Sequence, residues 1–476
     1  MKRTGRMQTT TWVALAVIAF LCVVAMGARD ARVYAVYGMM AAGAGLVFLL
    51  RRWTVQEAGV YLLFPLLLLY QLYVPVIGNV DVPLFYLFLC GLFAISLFSL
   101  RAFGWMGQKV LLLYGFFYAA LLVGLPAAQD MYLGVQTMMY LTTGLLALGA
   151  GFYVREKGMD AERLLTWLLL LGLPAAWLNV LFFLSPDLEL AYLRSRLAQL
   201  FIQPDQVTGL FGSLRNNVLD PNKAGTLFVN TNIASIFYLM LFWLAASFLL
   251  NRKKKRDLVF AGSYFLAFLA TYSRAGLLAF VVTVAVIAVV NLDRLRFWKK
   301  GLWFVIPGCI IIIGGWIGGF FTRMLERLQA ATVMDDPRFL IWRFAWDAFQ
   351  QAPLLGLGFG GWEASFPGYA FGVSLKPDFP PHNMFIHAWS WGGLAAVLFL
   401  GALLTYILAK GWLLYRSGHV LALALVAAVV TVLVQGMFEN FFLTDYRIAG
   451  LFFFMAGMFL YQVRRGKSSE HVGGES

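Results

Sequence analysis

Apolar runs long enough to cross a bilayer recur along the whole chain, and this feature decides what the chain can fold into. One of them, IASIFYLMLFWLAASFLL at 233–250, carries no charge at all. Inside lipid every backbone N–H and C=O must be satisfied within the protein, which leaves helices or closed barrels, and runs of this length fit helices. The spans read as 11–27, 33–50, 58–75, 82–100, 110–127, 132–152, 164–184, 231–250, 257–272, 275–291, 301–321, 384–410, 419–437 and 448–463. The expected fold is therefore an all-α polytopic membrane protein of about 12–14 transmembrane helices, with two long outer-face segments containing short helices. Only 13% of residues are charged, against about a quarter in soluble domains.

The expected organisation has six parts. Residues 1–184 form an N-terminal transmembrane bundle, 185–230 an outer-face segment and 231–321 further transmembrane helices. Residues 322–383 form a second outer-face segment with an amphipathic helix. The C-terminal transmembrane helices take 384–463 and a cytoplasmic tail takes 464–476. The start, MKRTGRMQTTTWVALAVIAF, has the basic and apolar regions of a signal peptide and reads here as a retained first span.

A net charge of +14 could suggest a nucleic-acid partner. Its placement argues otherwise. Arg51-Arg52, Arg252-Lys253-Lys254-Lys255-Arg256, Lys299-Lys300 and Arg464-Arg465 all fall in loops on one side of the span scheme, together with nearly all the lysines. Basic loops face the cytoplasm, so both termini are expected there. The two long segments then face outward, and their basic residues are mostly arginine, whose planar fork of donors suits phosphate and carboxylate. Cys22, Cys90 and Cys309 sit in apolar runs without metal-ligand or disulfide spacing.

Within 322–383, Asp335-Asp336-Pro337 begins a helix running from about Arg338 to Gln351, with Phe339, Trp342, Trp346 and Phe349 as an apolar face. The glycines of LLGLGFGG, Gly358 among them, follow no strand and open no βαβ unit. They read as a tight turn in which backbone approaches backbone or a ligand, not as a nucleotide loop. Pro380 and Pro381 then precede His382 and Asn383 at the mouth of the next span. Of the four histidines, only His382 is expected to be both outward and accessible. A lone histidine at such a place is more often a packing or hydrogen-bonding residue, but an imidazole there also suits proton transfer.

Four blocks resemble the superfamily of O-antigen ligases, O-antigen polymerases and O-linking oligosaccharyltransferases. They are GTLFVNTNIAS at 225–235, with Asn230 and Asn232; TYSRAGLLAF at 271–280, with Arg274; RFLIWRFAWDAFQQAPLLGLGFG at 338–360; and HNMFIHAWSWGG at 382–393. The pattern departs at Trp391, where the family often has Glu, and at Ala396, where it has Gly. The resemblance implies a membrane glycosyltransferase of the GT-C type in the bacterial inner membrane, with its site on the periplasmic face. It would take a glycan from undecaprenyl pyrophosphate to an acceptor glycolipid or a growing glycan, with no cofactor, metal or nucleotide sugar. It also implies His382 as the acceptor-activating base, with Arg274 and Arg338 on the pyrophosphate and Asn230, Asn232, Asn383 and Gly358 in support. Arg215, in the first outer segment, is a further candidate for the pyrophosphate, although a solvated or salt-bridged surface role is the commoner one for such an arginine. Glu439 and Asp445 could support the site or simply cap helices and pair with Arg447. A transporter or flippase would place ionisable groups near the membrane midplane, and these spans carry almost none. A scaffold without catalysis is the remaining reading.

Overall fold

The computed structural model of the protein describes residues 55–69, 73–77, 80–83, 85–91, 108–198, 201–202, 223–228, 230–291, 337–369 and 380–461. The described chain is a helical bundle. The helices are α1 (Val55–Leu68), α2 (Lys109–Gly124), α3 (Met131–Glu156), α4 (Ala161–Leu184), α5 (Pro186–Arg194), α6 (Thr231–Arg252), α7 (Lys255–Ala270) and α8 (Arg274–Val290). They continue with α9 (Pro337–Gln351), α10 (Gly361–Tyr369), α11 (Met384–Arg416), α12 (Ala422–Gly436), α13 (Phe441–Thr444) and α14 (Tyr446–Leu460). Five described helices are long and apolar enough to cross a membrane: α2 with the turn that follows it, α3, α4, α6 and α11. The expected spans 11–27, 33–50 and 301–321 lie outside the described residues.

The expected span at 58–75 needs correction. α1 ends at Leu68, and Tyr73–Ile77 pairs antiparallel with Val80–Pro83. β-branched residues on either side of Gly78-Asn79, with Pro75 and Pro83, favour a hairpin over a continued helix. The expected span 82–100 begins only after this hairpin, and residues 85–91 are helical.

α6 is the central helix. Every residue from Ala234 to Leu250 is buried, and α7, α8, α12, α4 and α14 pack around it. α3 lies against α14 at backbone contact: a Cβ on Gly457 would come within 2.2 Å of the Leu148 carbonyl oxygen. Small residues permit such close approach where lipid supplies no hydrophobic drive between helices.

α11 is broken in its first third. Gly392 and Gly393 leave helical geometry, and Gly393 has φ +65. The loop after α9 fills this break. Leu357 N donates to the Ser390 carbonyl at 2.9 Å and Leu394 N to the Pro353 carbonyl at 3.0 Å. These bonds satisfy backbone groups that the interrupted helix would leave orphaned. On its other side, the Phe359 carbonyl accepts from Gln129 N and Asp130 N at 2.8 and 3.0 Å. Gly356, Gly358 and Gly360 all adopt φ near +70 to +76 in this loop. The segment 384–391 is thereby held at both ends, with Gly392 against α2 and Met384 against Gly436 of α12.

Gly393→Ala should destabilise the fold. The new Cβ would stand 1.8 Å from the Leu354 carbonyl oxygen, and left-handed backbone costs a non-glycine residue about 1–3 kcal/mol before that clash. Gly401→Ala, with open space around its Cβ, should be neutral or stabilise by up to about 1 kcal/mol. Thermal melts in detergent should show a clear loss for the first variant and none for the second.

Candidate functional site

The site is organised by a carboxylate at the end of α12. The turn after Gly436 carries Glu439, whose side chain is 2% exposed. A buried carboxylate is costly unless charge and hydrogen bonds satisfy its oxygens. Arg338 Nη2 donates to Oε1 at 3.1 Å, and Asn232 Nδ2 donates to the same oxygen at 2.6 Å. His382 Nδ1 lies 3.1 Å from Oε2. A carboxylate can only accept, so Nδ1 carries the proton and Nε2 is the basic nitrogen of the neutral ring. The Arg338 and His382 side chains are 25% and 18% exposed, so the site opens on their side while the carboxylate lies beneath.

Each partner is placed by a helix end. Arg338 is in the first turn of α9, started by Pro337 at a position that needs no N–H. The buried face of α9 is Ile341, Phe344, Ala345 and Ala348, against Trp362, Phe366 and Trp389. Of the expected apolar face, Trp342 and Phe349 pack against this cluster, and Phe339 and Trp346 are exposed, at 48% and 60%. His382 has φ +48 after the two prolines. Asn383 caps α11, accepting from Phe385 N and Ile386 N at 2.8 and 3.1 Å, and donates to the Met437 carbonyl at 3.1 Å. That bond ties the His382 segment to the turn bearing Glu439.

A second layer extends the network. Asn230 caps α6 and accepts from Asn232 N at 2.8 Å. Ser273 Oγ donates to Asn232 Oδ1 at 2.6 Å while accepting from Gly276 N as the cap of α8. Gln435 Nε2 donates to the Asn232 carbonyl and to Ser235 Oγ. Arg274 follows Ser273 directly and is exposed.

The geometry thus brings together His382, Arg338 and Asn232, with Asn383 and Asn230 as caps beside them. Arg274 stands at the adjoining helix start. Gly358 packs against Ala127, and its glycine serves the loop rather than the carboxylate. Arg215 lies outside the described residues. Position 391 holds a tryptophan whose ring lies tilted against His387, with centroids 3.9 Å apart, and stacks on Phe359 at 5.5 Å. The site's carboxylate comes from Glu439 instead. Ser273 and Gln435 were not expected from sequence, although Gln435 was visible as an amide in an otherwise apolar run. Asp445 belongs to a different pair: it caps α14 and binds Arg447 at 2.6 Å.

In comparison with protein families, residues 258–401 match the family described as O-Antigen ligase. The matched stretch includes Ser273, Arg274, Arg338 and His382, while Asn232 and Glu439 lie outside it. No curated protein matches the chain.

The approach to Asn230 is fixed by another buried acid, Glu189 of α5. Its Oε1 accepts from Gly225 N at 2.9 Å and Thr226 N at 3.4 Å. Thr226, at φ +50, also donates to Asn179, and Asn179 donates to the Ala267 carbonyl at 2.8 Å. Burial pushes the Glu189 carboxyl up to about 7, with the two backbone N–H groups partly offsetting it. Between the unfolded value near 4.5 and about 7, the folded chain holds a proton that the unfolded chain has lost. This contribution to stability is therefore complete below the lower value and declines as pH rises through the higher one. The melting temperature of wild type relative to Glu189→Gln should fall as pH rises from about 5 to about 8, whereas a constant difference would contradict this assignment.

Proposed function

Starting from the O-antigen ligase domain at 258–401, we propose that the protein transfers a glycan from a polyprenyl pyrophosphate such as undecaprenyl pyrophosphate to an acceptor hydroxyl, as an O-antigen ligase does. The observation that carries this is Glu439 holding an arginine and a histidine at one partly exposed mouth. The reaction needs a base for the acceptor and cationic donors for the leaving group, and these two are side by side.

In this reading the acceptor hydroxyl loses its proton to His382 Nε2 as its oxygen bonds to the anomeric carbon. The bond from that carbon to the pyrophosphate oxygen breaks, and its electron pair leaves with the lipid pyrophosphate. Arg338 and Arg274 stabilise the charge developing there; fixed donors in a partly dehydrated site are effective at this. Glu439 keeps Nδ1 protonated and so keeps Nε2 basic. A carboxylate behind a catalytic imidazole has the same effect in other enzymes.

Charge distribution supports an outward-facing site in the inner membrane, with cytoplasmic termini. α6 runs from Asn232 at the site to Arg252, about 30 Å by helical rise, close to the thickness of a bilayer core. Exposed Arg155, Lys157, Arg163 and Lys253 to Arg256 cluster at the remote end, as the positive-inside rule expects of the cytoplasmic face.

The test is transfer by purified protein from an undecaprenyl-pyrophosphate glycan, comparing wild type with His382→Ala and Arg338→Ala. The expected outcome is transfer to a lipid A-core acceptor by wild type and a loss of about 10²-fold or more in either folded variant. Longer glycans formed without that acceptor would identify a polymerase instead. Full activity in both variants would remove these two residues from the mechanism.

A further inference from the structure

Glu439 is shared, and the sharing has a consequence. Its Oε1 serves Arg338 and Asn232 while its Oε2 serves His382. Arg338 is therefore both the proposed ligand of the donor and the counter-charge of the carboxylate that faces the base. An arginine drawn toward a pyrophosphate cannot neutralise Glu439 as fully as before. The carboxylate's field then falls more heavily on the imidazole, which favours taking up a proton.

We propose, resting on the transferase reading, that Glu439 is a positioning residue that couples the two half-sites: donor pyrophosphate engaging Arg338 makes His382 a stronger base. Acceptor activation then follows donor binding, so the acceptor is not deprotonated before a donor is present. Charged or titratable groups near the network include Arg274 at the start of α8, next to Ser273, and His387 farther along α11. His387 is buried and accepts from Asn440 at 2.7 Å. α6 and α12 contribute only the neutral Asn232, Ser235 and Gln435 to the network.

The chemistry can be read without glycan transfer. Diethyl pyrocarbonate modifies neutral imidazole, and peptide mass spectrometry separates His382 from His387, His419 and His471. The pH midpoint of His382 modification should rise by about half a unit or more when millimolar inorganic pyrophosphate is added to the full-length protein. Arg338→Ala should show a raised midpoint without pyrophosphate and no further rise with it. Glu439→Gln should lose the rise, while simple occlusion by pyrophosphate would slow modification in it as in wild type.

Glycan transfer supplies a second readout. An amide at 439 can donate to Nδ1 and so put the proton on Nε2, the wrong tautomer for a base. Glu439→Gln should therefore lower kcat by about 10²-fold or more, with a smaller change in the donor KM. Glu439→Asp should recover part of the rate, and it keeps the test open if the amide variant does not fold. An unchanged wild-type midpoint in protein that binds pyrophosphate and transfers glycan would overturn the coupling and leave the transferase reading standing. Absence of transfer from any lipid-pyrophosphate glycan would overturn that reading instead.

Discussion

A buried carboxylate constrains everything around it. Glu439 sits at the end of an apolar helix where water does not solvate it, and a charge in that position is tolerated only with donors on both oxygens. The chain supplies them from separate places: Asn232 at the start of α6, Arg338 at the start of α9 and His382 just before α11. Three helix starts must therefore meet the end of α12 in one register. Ser273 extends the same requirement to α8 through Asn232. Polar satisfaction, more than apolar packing, fixes where these ends lie relative to one another.

The glycine loop at 353–360 meets a second constraint of the same kind. A broken apolar helix exposes backbone groups that need partners. The loop supplies backbone to backbone at Ser390 and Leu394, and only glycine permits the approach at Gly393. The break sets the direction of residues 384–391 and, through the Asn383 cap, the position of His382. The loop thus acts on the site at a distance, as a scaffold and not as a ligand-binding turn.

How much of this was legible in the sequence follows from what kind of signal each part carries. α9 starts at Pro337 and ends at Gln351, close to the expected Arg338–Gln351, because proline at a helix start and an amphipathic run are local features. The start of α11 was equally readable from the two prolines and an asparagine cap. Glu439 carries no local signal of its role, since one acid after an apolar run looks the same whether it caps a helix or gathers partners from more than a hundred residues away. The strands at 73–77 and 80–83 resemble part of a span because valine and isoleucine are apolar in either structure, and only the prolines and the Gly-Asn pair between them distinguish the two. Gly392-Gly393 is visible in the sequence, but the break there depends on the distant loop after α9 that fills it.

Two buried acids in one short stretch hold their arginines in different ways. Asp445 and Arg447 lie six and eight residues beyond Glu439, and both side chains are 6% exposed. Arg447 spends its donors on Asp445, on the Leu227 carbonyl and on the Phe201 carbonyl, and its guanidinium lies 4.1 Å from the centre of the Phe228 ring. That arrangement is closed, and it pins α14 to the segment leading into α6. Around Glu439 the carboxylate is just as buried, yet the arginine and histidine it holds are each several times more exposed than Arg447. Arg338 is tied to a buried acid yet is a quarter exposed, so a ligand can approach it without displacing packed core. The sequence offers both acids within one short stretch, FENFFLTDYR, and exposure of the partner, not identity of the acid, is what marks Glu439 as the centre of the site.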